Sequence, residues 1–138
     1  MKRKVSILGF TLLELMIGIV IVGILASISI KLYTKHIKRA RRMVAIQTLL
    51  SIQLAEEQYR STNTQYGTLA QVWGGVNTTT GGYYSLSITN TSATNYTITA
   101  TALTTQTSDK ENSTTCTPLV LTMSSGTETK TPAACWLN

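Results

Sequence analysis

A single carboxylate stands inside a long apolar run. Glu14 falls in the 19 residues from Leu12 to Ile30, which otherwise hold only apolar and small residues and two serines. An acid buried in hydrocarbon costs several kcal/mol unless a cation pairs with it or it reaches the interface. Glu14 therefore has two readings: an acid that awaits a cationic partner, or a side chain that snorkels to the headgroups. Other chemistry-bearing residues are few. There is one histidine, His36, one aspartate, Asp109, and two cysteines, Cys116 and Cys135. No nucleophile, base and orienting group can be assembled from them, and no set of metal ligands has workable spacing. His36, in a basic stretch beside the apolar run, reads as a surface residue. The composition therefore points away from an enzyme and calls for no cofactor.

The cations are the other concentrated feature. The formal charge is +6, yet beyond Arg60 the charged residues are only Asp109, Lys110, Glu111, Glu128 and Lys130. Lys31, Lys35, Lys38 and Arg42 recur at helical spacing beside Arg39 and Arg41. That stripe has three readings: a solvated or headgroup-contacting face, an assembly contact with Glu56 or Glu57 of neighbouring subunits, or a DNA contact, since phosphates reward clustered Lys and Arg. No aromatics interleave with it, so stacking on single strands has no support.

These residues need elements to hold them. At 1.5 Å per residue, Leu12 to Ile30 is about long enough to cross a bilayer core. No small-x-small site comes after it, so the run reads as retained rather than removed. Counting basic flanks alone would keep the C-terminal side in the cytoplasm; the residues around Glu14 argue the reverse. From Lys31 to about Ser61 the pattern stays helical. Tyr33, Ile37, Ala40 and Val44 form one apolar line, and Met43, Ile46, Leu50 and Leu54 a second. One long helix from about Phe10 to Ser61 is expected, its second half packing an apolar side on the C-terminal domain. Ser61 to Gly82 reads as a loop anchored by Tyr66, Leu69, Val72 and Trp73. Three alternating stretches then predict antiparallel strands with one wet face: Tyr84-Leu86-Ile88, Tyr96-Ile98-Ala100-Ala102 and Leu119-Leu121-Met123. Turns are expected at Asn90 to Thr94 and at Ser124-Ser125-Gly126. With only two cysteines one intramolecular bridge is possible, and export would favour it. Closing that loop of about 20 residues is worth roughly 3 kcal/mol in the loop-entropy picture. Four Asn-x-Ser/Thr sequons begin at Asn77, Asn90, Asn95 and Asn112. In so Thr-rich a chain they read as chance.

The stretch Gly9-Phe10-Thr11-Leu12-Leu13-Glu14-Leu15-Met16-Ile17, behind Lys2, Arg3 and Lys4, resembles the junction of type IV prepilins. The resemblance implies an α+β fold, with a long N-terminal helical spine packed against a small antiparallel sheet. It divides the chain into a leader at 1–9, a membrane and assembly half-helix at 10–30, an amphipathic half-helix at 31–61 and a head at 62–138. It implies cleavage between Gly9 and Phe10 by a prepilin peptidase, and N-methylation of Phe10. Glu14 would then offer its charge to the Phe10 amine of a neighbouring subunit. The implied partners are other pilin subunits, the peptidase and the inner-membrane assembly machinery. The implied location is the inner membrane before assembly, with the C-terminus periplasmic, and an extracellular pilus afterwards. Adhesion, motility or DNA uptake would be the purpose. Two departures stand out. Lys31 occupies the place of a usual proline, so the helix should kink less there. Ile7-Leu8 precede the cleavage glycine where a polar or basic residue is commoner. The ending Cys116…Leu119-x-Leu121…Gly126…Cys135-Trp136 is similar to a PilE-like minor-pilin group that includes DNA-uptake pilins, and it carries over Cys116–Cys135 as the bridge. A pilin-like DNA receptor is thus an alternative. A secretion-system pseudopilin is another, although Asp109, Glu111 and Glu128 look too scattered for the calcium site such proteins often carry.

Overall fold

The computed structural model describes residues 9–136. The basic leader residues Lys2, Arg3 and Lys4 lie outside the described residues. The chain divides into two compact units, with the boundary between His36 and Ile37. The first helix, α1 (Leu12–Thr62, 51 residues), runs through that boundary.

In the first unit, the hydroxyl of Thr11 accepts the Glu14 amide at 3.2 Å and so satisfies a donor of the opening turn. No proline interrupts α1, and Lys31 sits inside the continuous helix. Ser27 and Ser29 donate to the carbonyls of Ile24 and Leu25, which hides their polarity from an apolar surrounding. The large apolar side chains from Phe10 to Ile30 are 52–77% exposed.

In the second unit, α1 buries Arg42, Ala45, Ile46, Leu49, Ile52 and Glu56. This corrects the sequence reading. Of the residues on the two expected apolar lines, Ile46 alone is fully buried on this face, while Val44, Leu50 and Leu54 are exposed. The buried face begins and ends on a charged residue, and both charges have partners inside. A four-stranded antiparallel sheet covers the face: β1 (Tyr84–Thr89), β2 (Asn95–Ala102), β5 (Leu119–Ser124) and β6 (Thr127–Thr131), in the order β1-β2-β5-β6. A small ribbon, β3 (Lys110–Glu111) and β4 (Thr114–Thr115), lies in the β2–β5 connection. The inner side chains Tyr84, Leu86, Tyr96, Ile98, Leu119 and Leu121 join Leu49 and Ile52 in the core. The outer positions, fixed by the two-residue period, are Ser85, Ser87 and Thr89 on β1, and Asn95, Thr97, Thr99 and Thr101 on β2. They continue as Val120, Thr122 and Ser124 on β5, and Thr127, Thr129 and Thr131 on β6.

The stretch expected to be pure loop holds a short helix, α2 (Leu69–Trp73). Thr68 and Gln71 close a capping box before it, and Gly74 at φ 63° ends it. The β5–β6 turn places Ser125 and Gly126 at positive φ, as a tight hairpin requires. Cys116 and Cys135 are joined in a disulfide, and a last short helix, α3 (Ala133–Trp136), carries Cys135.

Candidate assembly segment and basic surface

Gly9 has open space around the position a Cβ would take, and Phe10 is 77% exposed. Glu14 lies on the first turn of α1, four positions on, with its side chain exposed. The segment thus presents an acid at the first turn of an exposed apolar helix. A surface that is apolar for five turns is not stable in water. It belongs in lipid or against other helices.

The cations divide into two kinds. Lys31 and Lys35 are exposed in the first unit. In the second unit, Lys38 donates to the Ser108 hydroxyl at 2.7 Å, and the Arg41 guanidinium lies 3.8 Å from the centre of the Tyr83 ring. Arg39 is half-buried and has no carboxylate partner among the described residues. Arg42 is different, and the structure corrects its assignment to a contact surface. It is 1% exposed. One guanidinium nitrogen donates to Asp109 at 3.1 Å and lies 2.8 Å from Cys116 Sγ; the other donates to Glu111. A guanidinium held on two carboxylates inside the head cannot also reach an outside phosphate.

This buried centre ties α1 to the β2–β5 connection. A 3₁₀ turn, Thr104–Ser108, brings Gln106 inward, where its amide donates to the Lys38 carbonyl at 2.9 Å and the Tyr84 hydroxyl at 3.0 Å. Asp109 then turns in rather than standing in a polar loop, and its carbonyl accepts the Cys116 amide at 3.0 Å. Burial pushes the Asp109 carboxyl above its ordinary range, and Arg42 pulls it back. The sequence held a signal for this. Asp109 and Glu111 are two apart, hence on one side of a strand, while Lys110 points the other way and is exposed.

At the far end of α1 a second acidic group closes the head. Glu56, expected as an acid for neighbouring cations, is fully buried, and its Oε2 accepts the Gly67 amide at 2.8 Å. Its Oε1 has no hydrogen-bond partner among the described residues. Burial, chiefly, raises its carboxyl. Glu57 is exposed and accepts the Tyr66 and Tyr96 hydroxyls at 3.1 and 3.3 Å, so of the two acids only Glu57 faces outward. Glu128 accepts from Gln53 and Lys130, away from Asp109 and Glu111.

Comparison with known proteins places this arrangement. Residues 6–30 match the prokaryotic N-terminal methylation motif. Residues 32–120, well over half the chain, match the family described as "Type IV minor pilin ComP, DNA uptake sequence receptor". The chain belongs to that family. A type IV minor pilin is a structural subunit that polymerises with other pilin subunits, and the apolar helix with its methylation motif marks it as membrane-anchored. The long helix and antiparallel sheet are the α+β pilin arrangement expected from the sequence. Among curated relatives, the type II secretion system core protein G of Klebsiella michiganensis is 36% identical over 69 residues, 50% of this chain and 49% of that protein. The protein of the same description from Aeromonas hydrophila is 37% identical over 70 residues, 51% of this chain and 48% of its own length. That from Escherichia coli K12 is 35% identical over 63 residues, 46% and 43% respectively. The chain thus spans about half the length or less of the curated relatives it matches.

Proposed function

We propose that this minor pilin is cut between Gly9 and Phe10 by a prepilin peptidase, methylated at Phe10, and drawn from the inner membrane into an extracellular pilus. In that polymer Glu14 accepts the charge of a neighbouring Phe10 amine. The observation that carries the reading is the bare apolar helix with its single acid at the first turn. Two opposite charges leaving lipid together neutralise each other, while either alone in an apolar filament core costs several kcal/mol. Intact-mass measurement of sheared filaments tests it. The expected species begins at methylated Phe10, and a chain still starting at Met1 refutes it. Glu14→Ala should leave the chain in the membrane and reduce its recovery in filaments at least ten-fold.

A second reading, binding of DNA during uptake, is favoured by the description of the matched family. Lys38, Arg39, Arg41 and Lys110 are the candidate phosphate contacts of the head unit, and Arg42 drops out of the set because it is used inside. Backbone contacts of this kind give binding that weakens steeply with salt. A gel shift with the full mature chain in detergent should show a salt-sensitive complex, weakened by Arg39→Ala with Arg41→Ala. No shift at micromolar protein would remove this reading and leave the polymer reading intact.

A further inference from the structure

Two neighbouring arginines on α1 meet opposite fates. Arg42 turns into the head and is held by Asp109 and Glu111. Arg41 stays half-buried at the surface, and among the described residues no carboxylate lies within ion-pair reach of it. It is held all the same. Its guanidinium carbon sits 3.8 Å from the centre of the Tyr83 ring, in van der Waals contact with it. Tyr83 is itself fixed. It is half-buried against the core, its carbonyl accepts the Leu103 amide at 2.8 Å, and Tyr84 beside it is fully buried. The turn before it closes on the ring. A Cβ at Gly81 would come within 2.9 Å of the Tyr83 ring, and Gly81 stands at φ 88°, a backbone that favours glycine. Arg41 therefore rests on a platform that the head, not α1, supplies. Lys38, three positions earlier and so on the same side of α1, is steadied from the head as well, by the Ser108 hydroxyl.

We propose that Tyr83 is a positioning residue for DNA: it holds the Arg41 guanidinium ready to fork onto a backbone phosphate of a duplex. The proposal rests on the DNA reading given above and names how its cation is aimed. An aromatic face attracts a guanidinium without using any of its N–H donors. The whole fork is then left for two phosphate oxygens. A carboxylate partner does the reverse, as Arg42 shows: its nitrogens are occupied inside the head. Holding Arg41 in place beforehand also removes part of the side-chain ordering that binding would otherwise require. The same geometry says which part of DNA is met. With Arg41 over it and Gly81 against it, the Tyr83 ring is not left as an open platform for a base. The ring acts through the cation it carries, and a phosphate contact of that kind sets position without reading bases.

The test is fluorescence anisotropy of the full mature chain in detergent with a short labelled duplex of mixed sequence, titrated at several salt concentrations. Arg41→Ala should weaken binding about ten-fold and lower the slope of log affinity against log salt by about one. Arg41→Lys should keep that slope, because the charge remains. It should still bind about four-fold more weakly than wild type, because it lacks the planar fork. Tyr83→Leu should also cost about four-fold, and Tyr83→Phe should bind as wild type does, since the ring and not its hydroxyl carries the cation. In the Arg41→Ala background Tyr83→Leu should cost nothing further, which a merely structural role of the ring would not produce. Arg41→Lys alters a side chain at the surface and keeps the test decisive if Tyr83→Leu does not fold. Wild-type affinity in Arg41→Lys or in a folded Tyr83→Leu overturns the proposal. So does a Tyr83→Leu loss that persists without Arg41, or one that is larger on single-stranded than on duplex DNA. Each of these leaves the DNA reading in place, whereas a wild-type chain that forms no salt-sensitive complex removes both.

Discussion

Replacing Arg42 by alanine tests whether the buried ion cluster holds the head together. The wild-type guanidinium is almost fully enclosed and faces Asp109, which is 3% exposed, with Glu111 on its other side. Removing it leaves Asp109 buried without its cation. The chain then has two options. It can keep the charge, and a broken buried pair of this kind costs about 3–5 kcal/mol. Or it can protonate Asp109, whose ordinary value near 3.9 makes neutralisation at pH 7 cost roughly 4 kcal/mol. The two routes agree, so about 4 kcal/mol is expected at pH 7. With a urea slope of about 1–3 kcal/mol per molar for a domain of this size, the unfolding midpoint should fall by about 2 M. The signature is its pH dependence. In the variant only the more distant charge of Lys38 still opposes the burial of Asp109, so its folded pKa rises further above the unfolded value. Such a group stabilises below its unfolded pKa and loses that contribution as pH rises through the folded one. The gap between wild type and Arg42→Ala should therefore shrink as pH falls from 7 to about 4. Urea titrations of the head, followed by Trp73 and Trp136 fluorescence, measure both quantities. A loss below 1 kcal/mol at pH 7, or a loss that does not change with pH, refutes the cluster as a structural centre.

Three further outcomes are expected of the head and its helix. Burial is the largest influence on Glu56 and raises it, with the Gly67 amide opposing, so its contribution to stability is complete below the unfolded value and declines as pH rises through the folded one. Glu56→Gln should flatten the melting temperature between about pH 4 and 7, measured by circular dichroism, and a variant with the wild-type slope contradicts this. Gly67→Ala would set a Cβ 2.6 Å from Val72 and 3.1 Å from Tyr59; the overpacking should cost about 1–3 kcal/mol in urea unfolding. Leu54 is 71% exposed on α1, so Leu54→Glu should change head stability by less than about 0.5 kcal/mol while sharply lowering recovery in sheared filaments. A stability loss of several kcal/mol would mean Leu54 packs inside the head after all.

The sequence was readable where one physical demand dominates. The Leu12–Thr62 helix was legible because nothing in it breaks a helix and its first half satisfies one requirement, apolarity. Strands β1, β2 and β5 were legible because each alternates between a core side chain and, at all outward positions but Asn95 and Val120, a hydroxyl. The buried face of the second half-helix was not. Apolar residues there recur on more than one line, and the true inner face starts at Arg42 and ends at Glu56, which a hydrophobicity count assigns to the surface. Only tertiary partners reverse that: Asp109 and Glu111 for Arg42, and the Gly67 amide for Glu56. For the same reason the stripe of cations looked longer than it is. Helical spacing puts Arg42 with Lys35 and Lys38 but says nothing of carboxylates that approach from about 70 residues later. Helix α2 was missed because its signal, Thr68 and Gln71 around a single turn, is too short for periodicity to register.

The placement of charge is what connects these parts. The head unit holds twelve charged residues, and Arg42, Glu56, Asp109 and Glu111 are spent inside it or at its edge, fixing where the β2–β5 connection and the Gly67 loop sit. Withdrawing them has a consequence for α1. Along its outward side in the head, Val44, Leu50 and Leu54 remain exposed while the cations gather at Lys38, Arg39 and Arg41. A subunit that must slide into a helical array needs a spine face free of unpaired charge, because each desolvated ion costs several kcal/mol when it leaves water without a partner. Anchoring the head by internal ion pairs rather than by apolar residues on every side of α1 leaves an apolar side for neighbours. If that trade is real, exchanging the buried cluster for apolar residues (Arg42→Met, Asp109→Leu, Glu111→Leu) should leave the head at least as stable as wild type. Filament incorporation should survive too, since the outward face is untouched. A head that folds but no longer enters filaments would show that the cluster itself, not the face it frees, serves assembly.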